Sequence, residues 1–455
     1  MPPPDSPALP FAAAERNVRL FVAFRILFNA RFYYPVFMVM FLDFGITVEA
    51  FALLNAVWAA AIVLLEVPSG ALADLIGRRR LVVAGAALMV LEMLLLVLVP
   101  VPSAWVLPAL VANRILSGAA EAFISGADEA LAFDSLAAAG RTADWPKVLE
   151  RLMQAGGVVT IVCMVTGSLV YDPGPLDALM RGIGFAGSLS AAETFRLPIW
   201  LTLGSALAAL AAAVAMREPP RSSPGHADPL ATFRQTAATG RWIVARPLVL
   251  LVIAAGVLID MPIRQVLVVS SELYEQIGIP APAFGLVSAA AALLGLAVAG
   301  PLRRLALGAS VGRNGLILAA VTLVGLAGTA AFVPVVGVGF VILLSTAMRM
   351  VTFLQSHYLN QLVDSGRRAT VLSFRGLAVN VGYGAGCIVF AAATAAIGQV
   401  ADGDACFRIV VSLLPWAFLL ACWAFYAWTR RLIPDPQPLA RPGGFVAQPP
   451  PTHPA

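Results

Sequence analysis

The chain of 455 residues is 60% hydrophobic and only 12% charged, with a formal net charge of +5, whereas an ordinary soluble domain is about a quarter charged. Together with a mean hydropathy of +0.87, this excludes a soluble globular domain and points to an all-α polytopic membrane protein. The basic balance would raise nucleic-acid binding in a soluble chain; here the position of the charges matters more than their sum, and nucleic acid is not an expected partner.

Residues Met1 to Pro10 are proline-rich and lack a basic segment followed by an apolar one, so no cleavable signal peptide is expected and the first span directs insertion. Apolar runs between charged or Pro/Gly breaks then predict about twelve helices, near 18–42, 49–74, 81–100, 104–134, 147–171, 196–216, 247–272, 283–303, 313–333, 337–361, 369–398 and 407–430. Alternating ten-residue strands are absent, which excludes a barrel. Cys163, Cys387 and Cys422 lie inside apolar runs and Cys406 at the edge of one, without metal or redox spacing; they read as small buried hydrophobes. No cofactor or metal is implied.

The organisation follows: an N-terminal tail (1–17), six spans (18–216), a linker (217–246), six further spans (247–431) and a proline-rich tail (432–455) expected to be disordered. Arg78 to Arg80, Arg141, the linker arginines, Arg303, Arg304, Arg367, Arg368, Arg430 and Arg431 all fall on one side of a twelve-span arrangement. The opposite loops carry mostly acids, such as Asp43, Asp172, Glu193 and Asp402. By the positive-inside rule both termini are cytoplasmic, in the inner or plasma membrane. The second part of the linker, with Phe233 and Trp242 among arginines, predicts an amphipathic helix on the inner leaflet.

After the second span, Gly70, Leu72, Asp74, Gly77, Arg78 and Arg79 form a short charged loop. This segment resembles the loop signature of the major facilitator superfamily of secondary transporters. Asn113, Arg114, Gly118, Glu121 and Ala122 in the fourth span are similar to a second signature of that family. The resemblance covers about residues 18–430. It implies two pseudo-symmetric six-helix bundles that rock about a central site, with helices 1, 4, 7 and 10 lining the cavity.

The loop is also intelligible from its residues. Gly70 and Gly77 permit close approach and turn conformations closed to other residues. A carboxylate at the depth of Asp74 needs a partner, either a helix amino-terminus or an arginine; the family-like choice is the start of span eleven. Arg78 has Asp134 at the inner end of span four. Such a set would act as a conformational latch, against the plainer alternative that the arginines are topological anchors. In the pseudo-equivalent loop after span eight Arg304 stands where the first copy has Asp74, so the second latch is degenerate. Span five, with Gly156, Gly157 and Gly167, lacks the Gly-Pro-x-x-Gly-Gly pattern associated with antiporters.

Arg114, Gly118, Glu121, Ser125 and Asp128 have the spacing of one helical stripe. Arg114 lies ~15 Å below the outer end of its span, and Arg31, Asp260 and Arg349 lie ~17–20 Å along theirs. Asp260 and Arg264 are i,i+4 neighbours that can pair. Arg31, Arg114, Glu121, Asp260, Arg264 and Arg349 are therefore the candidate substrate or proton pathway, the competing possibility being a buried structural ion-pair cluster. Glu66, Glu121, Asp128, Glu129 and Asp260 are the candidate proton carriers. Arg25 and Arg375 have the position of snorkelling residues.

The expected function is alternating-access transport of a small solute by a monomer, with protons as a candidate coupling ion. The arginine excess leans toward an anionic or zwitterionic solute. A hydrophobic-drug exporter and a non-transporting membrane sensor are the alternatives. Three scattered histidines and no nucleotide-binding loop argue against an enzyme.

Overall fold

The computed structural model describes residues 11–184, 187–219 and 229–433, without the side chain of Asp74 and those of a few other helical residues. Among the described residues every regular element is helical. Among the described residues ten helices are long and apolar enough to cross a membrane, accompanied by two shorter apolar helices, Tyr34–Asp43 and Ala281–Gly295. These two fall where spans one and eight were expected at full length. The chain forms two compact units, the first of residues 1–233, 269–292 and 387–392, the second of residues 234–268, 293–386 and 393–455.

The first unit contains α1 (Phe11–Phe28), α2 (Phe37–Asp43), α3 (Val48–Ile76), α4 (Arg78–Leu98), α5 (Val106–Ile124), α6 (Ala127–Ala138), α7 (Trp145–Tyr171), α8 (Pro173–Gly182), α9 (Ala191–Thr194) and α10 (Leu197–Ala215). Apolar helices gain no hydrophobic driving force from one another in lipid, so small residues and close packing hold them together. Gly85 of α4 meets Ile124 of α5, and Gly118 of α5 meets Ala61 and the Trp58 carbonyl of α3.

Span one is interrupted. The helix stops at Phe28, passes through a 3-10 turn at Tyr34–Val36 and resumes at Phe37; Pro35, which has no backbone N–H to donate, sits in the first turn of the 3-10 helix, where none is needed. Backbone groups freed at membrane depth need partners inside the protein. Ser205 of α10 donates to the Ala30 carbonyl at 2.9 Å, and Thr202 accepts from the Phe32 N–H at 3.0 Å. The Phe32 carbonyl lies directly against Gly167 of α7, in the space a Cβ would fill.

Span four is also two helices, broken at Ser125 and Gly126, where Gly126 takes φ +76°. The stripe expected from Arg114 to Asp128 therefore does not stay on one face. Arg114, Gly118 and Asp128 are buried, whereas Glu121 and Ser125 are exposed.

The linker helix α11 (Pro229–Val244) precedes α12 (Pro247–Val268) and α13 (Ser270–Gln276). From Thr239 onward one face of α11 packs on protein. Gly240 meets the Phe374 ring, Ile243 is buried, and Trp242 is covered by the Arg246 and Arg367 guanidiniums at 4.7 and 5.4 Å. Residues 220–228 and the tail from 434 lie outside the described part.

The second unit is completed by most of α14 (Ala281–Leu307), α15 (Val311–Ala330), α16 (Gly337–Leu362), α17 (Ser365–Ile397) and α18 (Gly403–Leu432). Ile253, Ile263, Val266, Leu344, Val351 and Leu354 anchor its apolar core. Gly256 of α12 gives room to the Gln355 amide of α16, which donates to the Val252 and Ile253 carbonyls, each at 3.3 Å.

Candidate functional site: a buried arginine network and a clamped loop

In the first unit the break in span one places Arg31 inside the helix bundle. Its guanidinium pairs with Glu92 of α4, and the two residues are 4% and 0% exposed. Asn113 of α5 joins this pair to the next arginine. Its Nδ2 donates to the Glu92 backbone carbonyl at 2.9 Å, and its Oδ1 accepts from Arg114 Nε and Nη2 at 2.9 and 2.7 Å. The Arg114 guanidinium also lies over the Phe37 and Phe41 rings, 5.3 and 5.0 Å from their centroids. Among the described residues Arg114 pairs with no carboxylate, although it is 96% buried by its 4% exposure. Two cations and one anion thus share a network of buried side chains from the break in span one, α4 and α5.

Two acids near it have other company. Asp128, fully buried at the start of α6, accepts from Arg25 at 2.9 Å and from the Glu129 backbone N–H at 2.7 Å. Arg25, 27% exposed, thus pairs with a buried acid and also stands 3.9 Å from the exposed Glu129. Glu121 is exposed and takes no part in the arginine network.

The second unit holds its own pair. Arg264 Nε and Nη2 donate to the two Asp260 carboxylate oxygens, both at 2.9 Å, and the guanidinium stands over the Tyr383 ring at 5.4 Å. The bidentate geometry fixes both side chains on α12. Arg349 of α16 is exposed and its guanidinium rests against Gly295 of α14, which has no side chain to exclude it.

The charged loop after α3 is held within the first unit. Gly77 ends α3 and starts α4 with φ +106°, a conformation that disfavours any residue with a Cβ. Arg78 pairs with Asp134 of α6. Arg79 donates to the Met216 and Val214 carbonyls at the end of α10, both at 2.6 Å. Glu218 accepts from the backbone N–H groups of Arg78 and Arg79, at 3.1 and 2.8 Å. Gly70 differs from expectation, since nothing lies within 4 Å of where its Cβ would stand; no close approach explains it. The Asp74 carboxylate lies outside the described residues.

The model of the Major Facilitator Superfamily matches residues 20–387. The chain belongs to that superfamily. As a major facilitator protein it is a multi-pass membrane transporter of small molecules, and its ten long apolar helices accord with that. A substituted form of the nucleoside transporter NupG has a similar fold, with a TM-score of 0.71 at 12% identity, over 91% of this chain and 99% of that one. A bacterial homolog of the human lysosomal transporter Spinster, inward-facing and occupied, gives 0.62 at 16% identity, over 94% and 98% of the two chains. A D-xylose–proton symporter gives 0.62 at 14% identity, over 89% and 97%. At these identities the likeness is one of fold. None of the curated protein sequences matches this major facilitator chain.

Glu92 and Glu218 were not among the residues expected from the sequence, and Asn113 stood there only as part of the span-four signature. Glu92 carries a plain signal, being the one ionisable residue in the apolar stretch 81–98. Glu92 stands on the third span, outside helices 1, 4, 7 and 10, to which the family pattern points.

Proposed function

We propose that the protein is a secondary active transporter that carries a small anionic or zwitterionic solute by alternating access, coupled to protons. It works as a monomer in the inner or plasma membrane with both termini in the cytoplasm. The observation that carries this is Arg114, a buried guanidinium that pairs with no carboxylate among the described residues. A buried charge left uncompensated is costly, and in a transporter the solute is the natural counter-ion. Phe37 and Phe41 supply apolar walls beside it, as small-molecule sites combine apolar surface with a few placed polar groups. Asp260, Arg264 and Arg349 are the corresponding candidates in the second unit. Gly70, Asp74, Gly77, Arg78 and Asp134 act as the conformational latch, which Glu218 and Arg79 reinforce.

The test is a thermal-shift screen of the purified chain in detergent against carboxylates, phosphates, amino acids, neutral sugars and lipophilic cations. Anionic or zwitterionic compounds should raise the melting temperature, and Arg114→Gln should abolish the rise. Stabilisation by lipophilic cations alone would replace this function with drug export. With the solute in hand, Asp74→Asn in inserted protein should slow its movement across vesicle membranes, and unchanged transport would remove the latch.

A further inference from the structure

We propose that Arg246, Arg367 and the Trp242 ring form a binding site for the headgroup of an anionic phospholipid. Both guanidiniums stand over the same indole, 4.7 and 5.4 Å from its centroid, so they are no farther apart than those two distances together. Both side chains are exposed. Among the described residues neither pairs with a carboxylate. Asp364, the acid that precedes α17, is exposed, and its side chain caps no N–H. Two like charges gathered at one ring raise each other's energy, and attraction to the shared ring face does not remove that repulsion. An anion held by both does.

Other arginines near the span ends have partners within the protein. In the first unit Arg19, Arg78 and Arg141 meet Glu15, Asp134 and Asp144. In the second, Arg368 is turned to the Asn360 and Val363 carbonyls at 3.4 and 3.5 Å. Arg246 and Arg367 are gathered at Trp242 with no acid to receive them.

Their depth selects the ligand. Arg246 immediately precedes the apolar span Pro247–Val268, and Arg367 lies just before the span Thr370–Ile397. Both therefore stand at the level of lipid headgroups, where tryptophan also settles and where arginine clusters attract anionic lipids. The oxygens of a phosphodiester match the fork of a guanidinium. The Trp242 Nε1 is buried without a hydrogen-bond partner, so the indole offers its ring face rather than its donor. Exposed Val244, between Trp242 and Arg246 in the chain, supplies apolar surface for the acyl chains, which free phosphate would not use. A headgroup held by both arginines would tie the end of α11 to the start of α17, which already meet where Gly240 faces the Phe374 ring.

The experiment is a thermal-shift series on the full chain in detergent, with short-chain phosphatidylglycerol, short-chain phosphatidylcholine and inorganic phosphate as probes. Phosphatidylglycerol should raise the melting temperature by several degrees, and the rise should shrink as salt is added. Phosphatidylcholine and inorganic phosphate at the same concentration should leave it nearly unchanged. Arg367→Gln, which leaves Arg246 on the ring, should lose most of the rise, and the further change Arg246→Gln should abolish it. Trp242→Phe should keep it, as should Arg430→Gln with Arg431→Gln at the end of α18. A rise that survives in folded Arg367→Gln, or is lost equally in the Arg430 and Arg431 variant, overturns the proposal. Equal stabilisation by phosphatidylcholine or by inorganic phosphate overturns it as well. Arg114→Gln should retain the phosphatidylglycerol shift, so this site and the solute site fail separately; loss of the shift there would assign the lipid's effect to Arg114 and overturn the site at Trp242.

Discussion

The Glu218 carboxylate caps the first turn of α4 by accepting the backbone N–H groups of Arg78 and Arg79 at 3.1 and 2.8 Å. A helix amino-terminus has unsatisfied donors and a positive dipole end, so a carboxylate there meets both needs. The residue comes from the segment after α10, which ties the loop between α3 and α4 to the end of span six. Glu218→Ala should cost about 1 kcal/mol and lower the apparent melting temperature in detergent. Glu218→Gln, which keeps an acceptor, should lose less. Equal losses in the two would show that the side chain acts by bulk rather than as a cap.

Gly77 and Gly70 should part company on substitution. Gly77 has φ +106° and a Cβ there would stand 3.3 Å from the Glu218 carboxylate. Gly77→Ala should therefore destabilise by about 1–3 kcal/mol. Gly70 lies inside α3 in open space, and Gly70→Ala should stabilise by about 0.5–1 kcal/mol through helix propensity. Thermal unfolding of the two variants side by side decides it, and a loss at Gly70 would point to a contact made in another conformation of the transporter.

The Arg78–Asp134 pair should be energetically modest in this conformation. Its side chains are 28% and 36% exposed, so water screens them and a coupling of about 0.5 kcal/mol is expected. A double-mutant cycle with Arg78→Ala and Asp134→Ala measures it. A coupling above about 2 kcal/mol would mean that the pair holds the fold together, and a latch that must release would be a poor description of it.

What the sequence made legible divides along physical lines. Membrane spans follow from run length and composition, so the all-helical fold and most spans could be read directly. The Arg78–Asp134 and Asp260–Arg264 pairs were also legible, the first from the loop pattern and the second from i,i+4 spacing. The breaks at Asn29 to Val36 and at Ser125 to Gly126 were not, because the first is satisfied by Thr202 and Ser205, far along the chain, and the second turns on one glycine at positive φ. Glu92 and Glu218 were missed for opposite reasons. Glu92 stands alone in an apolar run, and only tertiary packing brings Arg31 to it. Glu218 sits in a proline-rich stretch that reads as spacer, and its role depends on where α10 ends.

Span five offers a sharper test of packing. Gly167 faces the Phe32 carbonyl, which occupies the position of an added Cβ, whereas Gly156 and Gly157 have nothing within 4 Å. Gly167→Ala must push α7 away from the break in span one and should cost about 3 kcal/mol or more. Gly156→Ala and Gly157→Ala should each stabilise by about 0.5–1 kcal/mol. Melting temperatures of the three single variants check the ranking, and similar values for all three would show that the contact between span one and α7 is not held as described.

The Arg31–Glu92 pair yields the last prediction, one that separates pairing from packing. Removing one member of a buried ion pair leaves the other charge uncompensated and costs about 3–5 kcal/mol, whereas replacing both by apolar residues of similar size is often neutral or stabilising. Arg31→Met at neutral pH should therefore melt well below the unsubstituted protein, and adding Glu92→Leu to it should restore most of the loss. Failure of the double variant to recover would mean that the hydrogen bond from Asn113 to the Glu92 backbone, rather than the charge pair, fixes α4 against α5 at this depth.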